Sequence, residues 1–131
     1  MQRKAIKSCI DDRGCAIIST IMKQYLIDGL RPEDHKRLEN YFKDHFTASP
    51  LGSIYWIELD REILTPVQQE HTSCQPHIFA LELEEGFLAC ELLVRIKNSI
   101  KCDCMGYATV RQRDWLMDKV DDMLAQLEIN V

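Results

Sequence analysis

The chain has 131 residues, 46% of them apolar and 28% charged, with a formal net charge of −5 and a pI near 5.3. A chain of this length is expected to form a single domain, residues 1–131, with a core of its own, and the composition is that of globular rather than disordered proteins. The acidic balance argues against general affinity for nucleic acid or anionic membrane, because both rest on positive charge.

No apolar run approaches the roughly 20 residues needed to cross a bilayer. The first residues interleave Arg3, Lys4, Lys7, Asp11 and Asp12 instead of presenting a hydrophobic signal core, so a cytoplasmic location is expected. In that compartment thiols stay reduced, and the six cysteines (Cys9, Cys15, Cys74, Cys90, Cys102 and Cys104) read as core residues, metal ligands or reactive thiols, not as a disulfide framework.

Ile17, Ile18, Ile21, Tyr25 and Leu26 recur at helical spacing with Gly29 beyond them, which predicts a helix from Cys15 to Asp28. Pro32 stands at a first helical position, Glu33 and Asp34 follow, and Leu38, Tyr41, Phe42 and His45 share one face. The two segments are expected to form an N-terminal helical hairpin. Residues 47–52 read as a loop, and Ser53 to Leu59 as a strand rich in β-formers. Thr65-Pro66-Val67-Gln68 carries the elements of a capping box and predicts a short helix from Pro66 to His71.

From His77 to Met105 the alternation predicts a meander. A two-residue turn at Glu85-Gly86 opposes Leu83 to Leu88, Leu81 to Cys90, Phe79 to Leu92 and His77 to Val94. A three-residue loop at Lys97-Asn98-Ser99 opposes Ile96 to Ile100, Val94 to Cys102 and Leu92 to Cys104. The other face, with Ala80, Glu82, Glu91, Arg95, Lys101 and Asp103, is expected to be mostly wet. Thr109 with Gln112 makes a second capping box, opening a helix whose Leu116, Val120, Met123, Leu124 and Leu127 form an apolar stripe. The expected fold is therefore α+β: a helical hairpin, an antiparallel β-meander of three to four strands, and a C-terminal amphipathic helix packed on one sheet face.

Chemistry is concentrated in two short segments. His71, Cys74 and His77 in one, and Cys102 and Cys104 in the other, are ligand types that bind zinc. Their spacing matches no common ligand motif, and at alternate positions of a strand Cys102 and Cys104 would lie about 6.5–7 Å apart, too far for tetrahedral ligation without a bend. The competing reading makes the cysteines small buried hydrophobes. Cys74 beside His71 or His77 has the partners of a thiol nucleophile, but no Gly-rich oxyanion segment accompanies it, and no catalytic residue is assigned.

Arg95, Lys97, Lys101, Arg111 and Arg113 form a basic cluster that can grip an anion or an acidic partner segment; without alternating aromatics it is a poor RNA platform. Tyr55, Trp56 and Trp115 are candidate anchors of a protein interface. No phosphate-binding loop, dinucleotide fingerprint or nucleophile elbow occurs. In size, acidity and a C-terminal amphipathic helix on an antiparallel sheet, the chain is loosely similar to the type III secretion chaperones. That resemblance implies a small acidic dimer holding a protein substrate. The leading expectation is a non-enzymatic binding or adaptor domain acting through protein contacts, with a homodimer or another protein as partner; the alternatives are a zinc-type metal protein and a secretion-chaperone-like dimer.

Overall fold

The computed structural model describes residues 23–50, 52–96 and 102–130. They form an α+β structure whose sheet is antiparallel: β1 (Gln24–Asp28), α1 (Pro32–His45), β2 (Thr47–Ala48), β3 (Ile54–Glu58), α2 (Pro66–Glu70), β4 (His77–Glu84), β5 (Phe87–Glu91), β6 (Leu93–Ile96), β7 (Gly106–Tyr107) and α3 (Val110–Gln126). Single 3-10 turns at Arg61–Ile63 and Thr72–Cys74 flank α2. The sheet runs β1-β5-β4-β3-β2, and β6 joins β4 and β7 off that path. No helix among the described residues is long and apolar enough to cross a membrane.

The first element corrects the sequence reading. Residues 24–28 are a strand, antiparallel to β5 with Tyr25 opposite Cys90 and Ile27 opposite Leu88; the rest of the predicted helix, residues 15–22, lies outside the described residues. Tyr25 and Ile27 are both buried, a period of two that the helical pattern left unused. Gly29 does end the element, at φ +76°, with its N–H donating to Asp28 Oδ1 at 2.8 Å. The punctuation was legible and the element type was not, because the vacant edge of β5 decides it.

The β4–β5 hairpin has the predicted register, with Leu83 opposite Leu88 and Leu81 opposite Cys90. Beyond Cys90 the register slips by two. His77 lies opposite Ile96 and Ile78 opposite Arg95, where continuation would have opposed His77 to Val94. At the slip Leu92 leaves β4: its N–H donates to the Lys23 carbonyl at 3.0 Å, and its carbonyl accepts from Ala108 at 2.7 Å. A slip of two keeps every side chain on its own face. Beyond β6 the prediction fails more deeply, since Val94 faces Gly106 and Leu93 faces Tyr107, not Cys102. The second face is not open either: Ala80, Glu82, Glu91 and Arg95 are half-buried, and burial, then Glu84, raises the Glu82 pKa.

One cluster holds Tyr25 and Ile27 of β1, Leu38 and Phe42 of α1, Phe79 and Leu81 of β4, Leu88 of β5, and Leu116, Val120 and Leu124 of α3. Tyr25 fastens α3 directly, its hydroxyl donating to Asp121 Oδ1 at 2.6 Å. Both predicted capping boxes are present. Thr65 Oγ1 accepts from the Gln68 N–H and Gln68 Oε1 accepts from the Thr65 N–H; Thr109 and Gln112 do the same at the start of α3.

The two boxes are joined. Gln112, fully buried, donates from Nε2 to Gln68 Oε1 at 2.8 Å and to the Ile63 carbonyl at 2.9 Å. Gln68, also buried, donates to the Cys104 carbonyl at 3.0 Å. A buried amide stripped of its partners costs about 1–3 kcal/mol for each group left unsatisfied. Gln112→Ala should therefore cost about 2–4 kcal/mol of stability, against about 1 kcal/mol for loss of the cap alone in Thr109→Ala. Urea unfolding of the two variants checks this, and equal costs would show that the bonds between the boxes contribute nothing.

Candidate metal centre

The Thr65–Gln68 box at the start of α2 positions the first pair of candidate ligands. Immediately after α2, the His71 carbonyl accepts the Cys74 N–H at 3.0 Å, so His71 and Cys74 stand at the two ends of one tight turn. The other pair sits on a second turn, closed by the Met105 N–H donating to the Cys102 carbonyl at 3.0 Å. Cys102 and Cys104 are therefore positions one and three of a β-turn, not alternate positions of a strand. The separation expected of extended chain does not apply to them.

The two turns face each other. Ligand atoms of His71, Cys74, Cys102 and Cys104 all lie within 4.8 Å of one another, and His71 Nδ1 is 3.0 Å from Cys102 Sγ. What holds the turns in register is Gln68, three residues before His71, whose side chain reaches the Cys104 carbonyl. Cys104 is buried; the other three are partly exposed.

The surroundings separate the thiols. Cys102 is held down to about 7, first by a hydrogen bond from the Cys104 N–H, then by the thiols of Cys104 and Cys74 and by His71, against the opposing effect of burial. Cys104 is pushed up to about 12, by burial first and then by Cys102 and Cys74. Cys90, in the core opposite Tyr25, is raised by burial still further.

His77 stands apart from this set. It is buried in β4 opposite Ile96, neither ring nitrogen has a hydrogen-bond partner among the described residues, and burial, then His71, lowers its pKa. Its ring is a neutral component of the interior.

The other predicted site residues lie outside this set. Arg95 is committed to Glu91, with Nε and Nη2 on the two carboxylate oxygens, and Arg113 pairs with Asp114 at 3.1 Å. Arg111 is exposed on α3, while Lys97 and Lys101 lie outside the described residues. Tyr55 is a core residue, its ring 5.2 Å from Phe42, and is not available as an interface anchor. Trp56 is half-buried. Trp115 stacks on Phe79 at 6.3 Å and donates from Nε1 to Asp60 Oδ2 at 3.2 Å. Comparison with family models, curated proteins and solved structures finds no match for the chain.

Thiolate, not thiol, is the nucleophile, so the chelator-treated protein should be alkylated by iodoacetamide at Cys102 before Cys104 or Cys90. The Cys102 rate should rise through pH about 7, while Cys104 stays slow to strongly alkaline pH. Peptide mapping of the alkylated sites against pH checks the order.

Proposed function

We propose that the chain is a binding domain whose structure is locked by a zinc-type dication held by His71, Cys74, Cys102 and Cys104. The observation that carries this reading is the convergence of four soft ligand atoms within 4.8 Å from two turns separated by 27 residues of chain. Tetrahedral ligation at Zn–S of about 2.3 Å sets neighbouring ligand atoms about 3.8 Å apart. To reach it the wider separations, up to 4.8 Å, would contract and the 3.0 Å between His71 Nδ1 and Cys102 Sγ would open slightly. Three thiolates and one imidazole form a soft donor set, which favours zinc over magnesium or calcium.

The donor count also favours structure over catalysis. Catalytic zinc keeps a position open for water or substrate, whereas four protein ligands close the tetrahedron. The dication would join the turn after α2 to the turn before β7, two segments otherwise linked through Gln68 and the His71–Cys102 contact. It would also remove the opposition between Cys102 and Cys104, because both would bind as thiolates.

Protein purified without chelator or affinity metal should carry about one zinc per chain by elemental analysis, in keeping with one four-ligand site. Cobalt added to the apoprotein should give the intense thiolate-to-cobalt charge-transfer absorption. Cys102→Ser and His71→Ala should lose both signals together with several kcal/mol of stability, whereas His77→Leu should keep both. A folded protein with neither zinc nor cobalt absorption would reduce the four residues to a hydrogen-bonded thiol cluster.

A further inference from the structure

A second site lies away from the metal ligands, where α1, β3 and α3 meet around a cavity of about 400 Å³, within the size range of small-molecule pockets. Its apolar walls are Tyr41, Phe46, Ile57, Trp115 and Met123. Tyr41 is stacked on His45 at 4.0 Å and meets Phe46 edge to face at 6.1 Å, and the Trp115 indole is fixed by Phe79 and by Asp60. The rim carries Glu58, Asp60 and Asp122 against the single lysine Lys119. Apart from His45, the cavity therefore has a net charge of −2.

An indole beside carboxylates and apolar side chains favours a cation with apolar substituents: a ring face attracts positive charge, and apolar walls reward a poorly hydrated one. The chain already demonstrates the first half of this. Lys119 Nζ stands 5.4 Å from the centre of the Trp115 ring, one helical turn along α3, and both residues line the cavity. An inorganic ion does not fit the same place. Among the described residues, the convergent group of three or more His, Cys or acidic ligands is the Cys/His set, and the carboxylates here do not close on a point.

We infer that this cavity binds a small organic cation, an alkylated ammonium group on a short apolar stem, seated between Trp115 and the Tyr41–Phe46 wall with its charge toward Asp60 and Asp122. Lys119 is then the intramolecular competitor for the Trp115 face. The inference stands on this cavity alone and is independent of the metal centre.

The test compares choline with its neutral isostere 3,3-dimethylbutanol by NMR, using the full chain and the Trp115 indole N–H as reporter, with Trp56→Phe to assign the two indole signals. Choline should shift the Trp115 signal saturably, and the neutral isostere should bind about three- to fivefold more weakly, the discrimination expected of an exposed cation–π contact. Asp122→Asn should weaken choline binding. Lys119→Gln should strengthen it, by vacating the ring face and removing the opposing charge. Both residues are exposed, so neither change threatens the fold. Equal affinity for choline and the alcohol, a shift that does not saturate, or weaker binding by Lys119→Gln would each overturn the inference.

Discussion

The bond from Gln112 to Gln68 organises this molecule. Each glutamine first completes a capping box with its own threonine, using its carbonyl oxygen on the threonine N–H. Each then has an amide NH₂ to spend inside the protein. Gln112 spends its own on Gln68 and on the Ile63 carbonyl; Gln68 spends its own on Cys104. The start of α3, the start of α2, the turn before α2 and the cysteine turn are thus connected by one run of buried, satisfied polar groups. Such networks specify a unique arrangement because a partly satisfied version is so unfavourable.

That network explains why two turns with no regular structure of their own can present four ligand atoms to one point. A loop such as Cys102 to Met105 fixes its local shape with one backbone hydrogen bond but not its place on the protein. Gln68 supplies the place, and because His71 follows it by three residues on the same short helix and turn, the first ligand pair inherits the same reference. Preorganisation of this kind lowers the ordering cost that a metal would otherwise meet.

Much of this was legible in the sequence, and the gaps have physical reasons. Thr65 with Gln68 and Thr109 with Gln112 announced two helix starts, since a capping box is local chemistry. Their meeting was invisible, because it depends on where two helices separated by more than 40 residues come to lie. The β4–β5 hairpin was readable from Gly86 and the alternation around it, whereas β1 was not, because its partner residues are 59 to 67 positions away and its apolar residues fit two periods. The cluster His71, Cys74, Cys102 and Cys104 was named from residue type alone, and extrapolating β-register past the turn expected at Lys97-Asn98-Ser99 gave its geometry wrongly. His77 joined the list by proximity in sequence, but the start of β4 carries it into the interior.

The two-residue slip at Leu92 constrains how the chain can change length. Alternation of side chains has a period of two, so lengthening or shortening the β5–β6 junction by an even number of residues leaves Val94 and Ile96 facing inward. Removal of one residue would instead bring the Arg95 guanidinium to the side now occupied by Val94 and Ile96, and would swing both of these outward. Lineages of this protein should accordingly show insertions and deletions at this junction in steps of two.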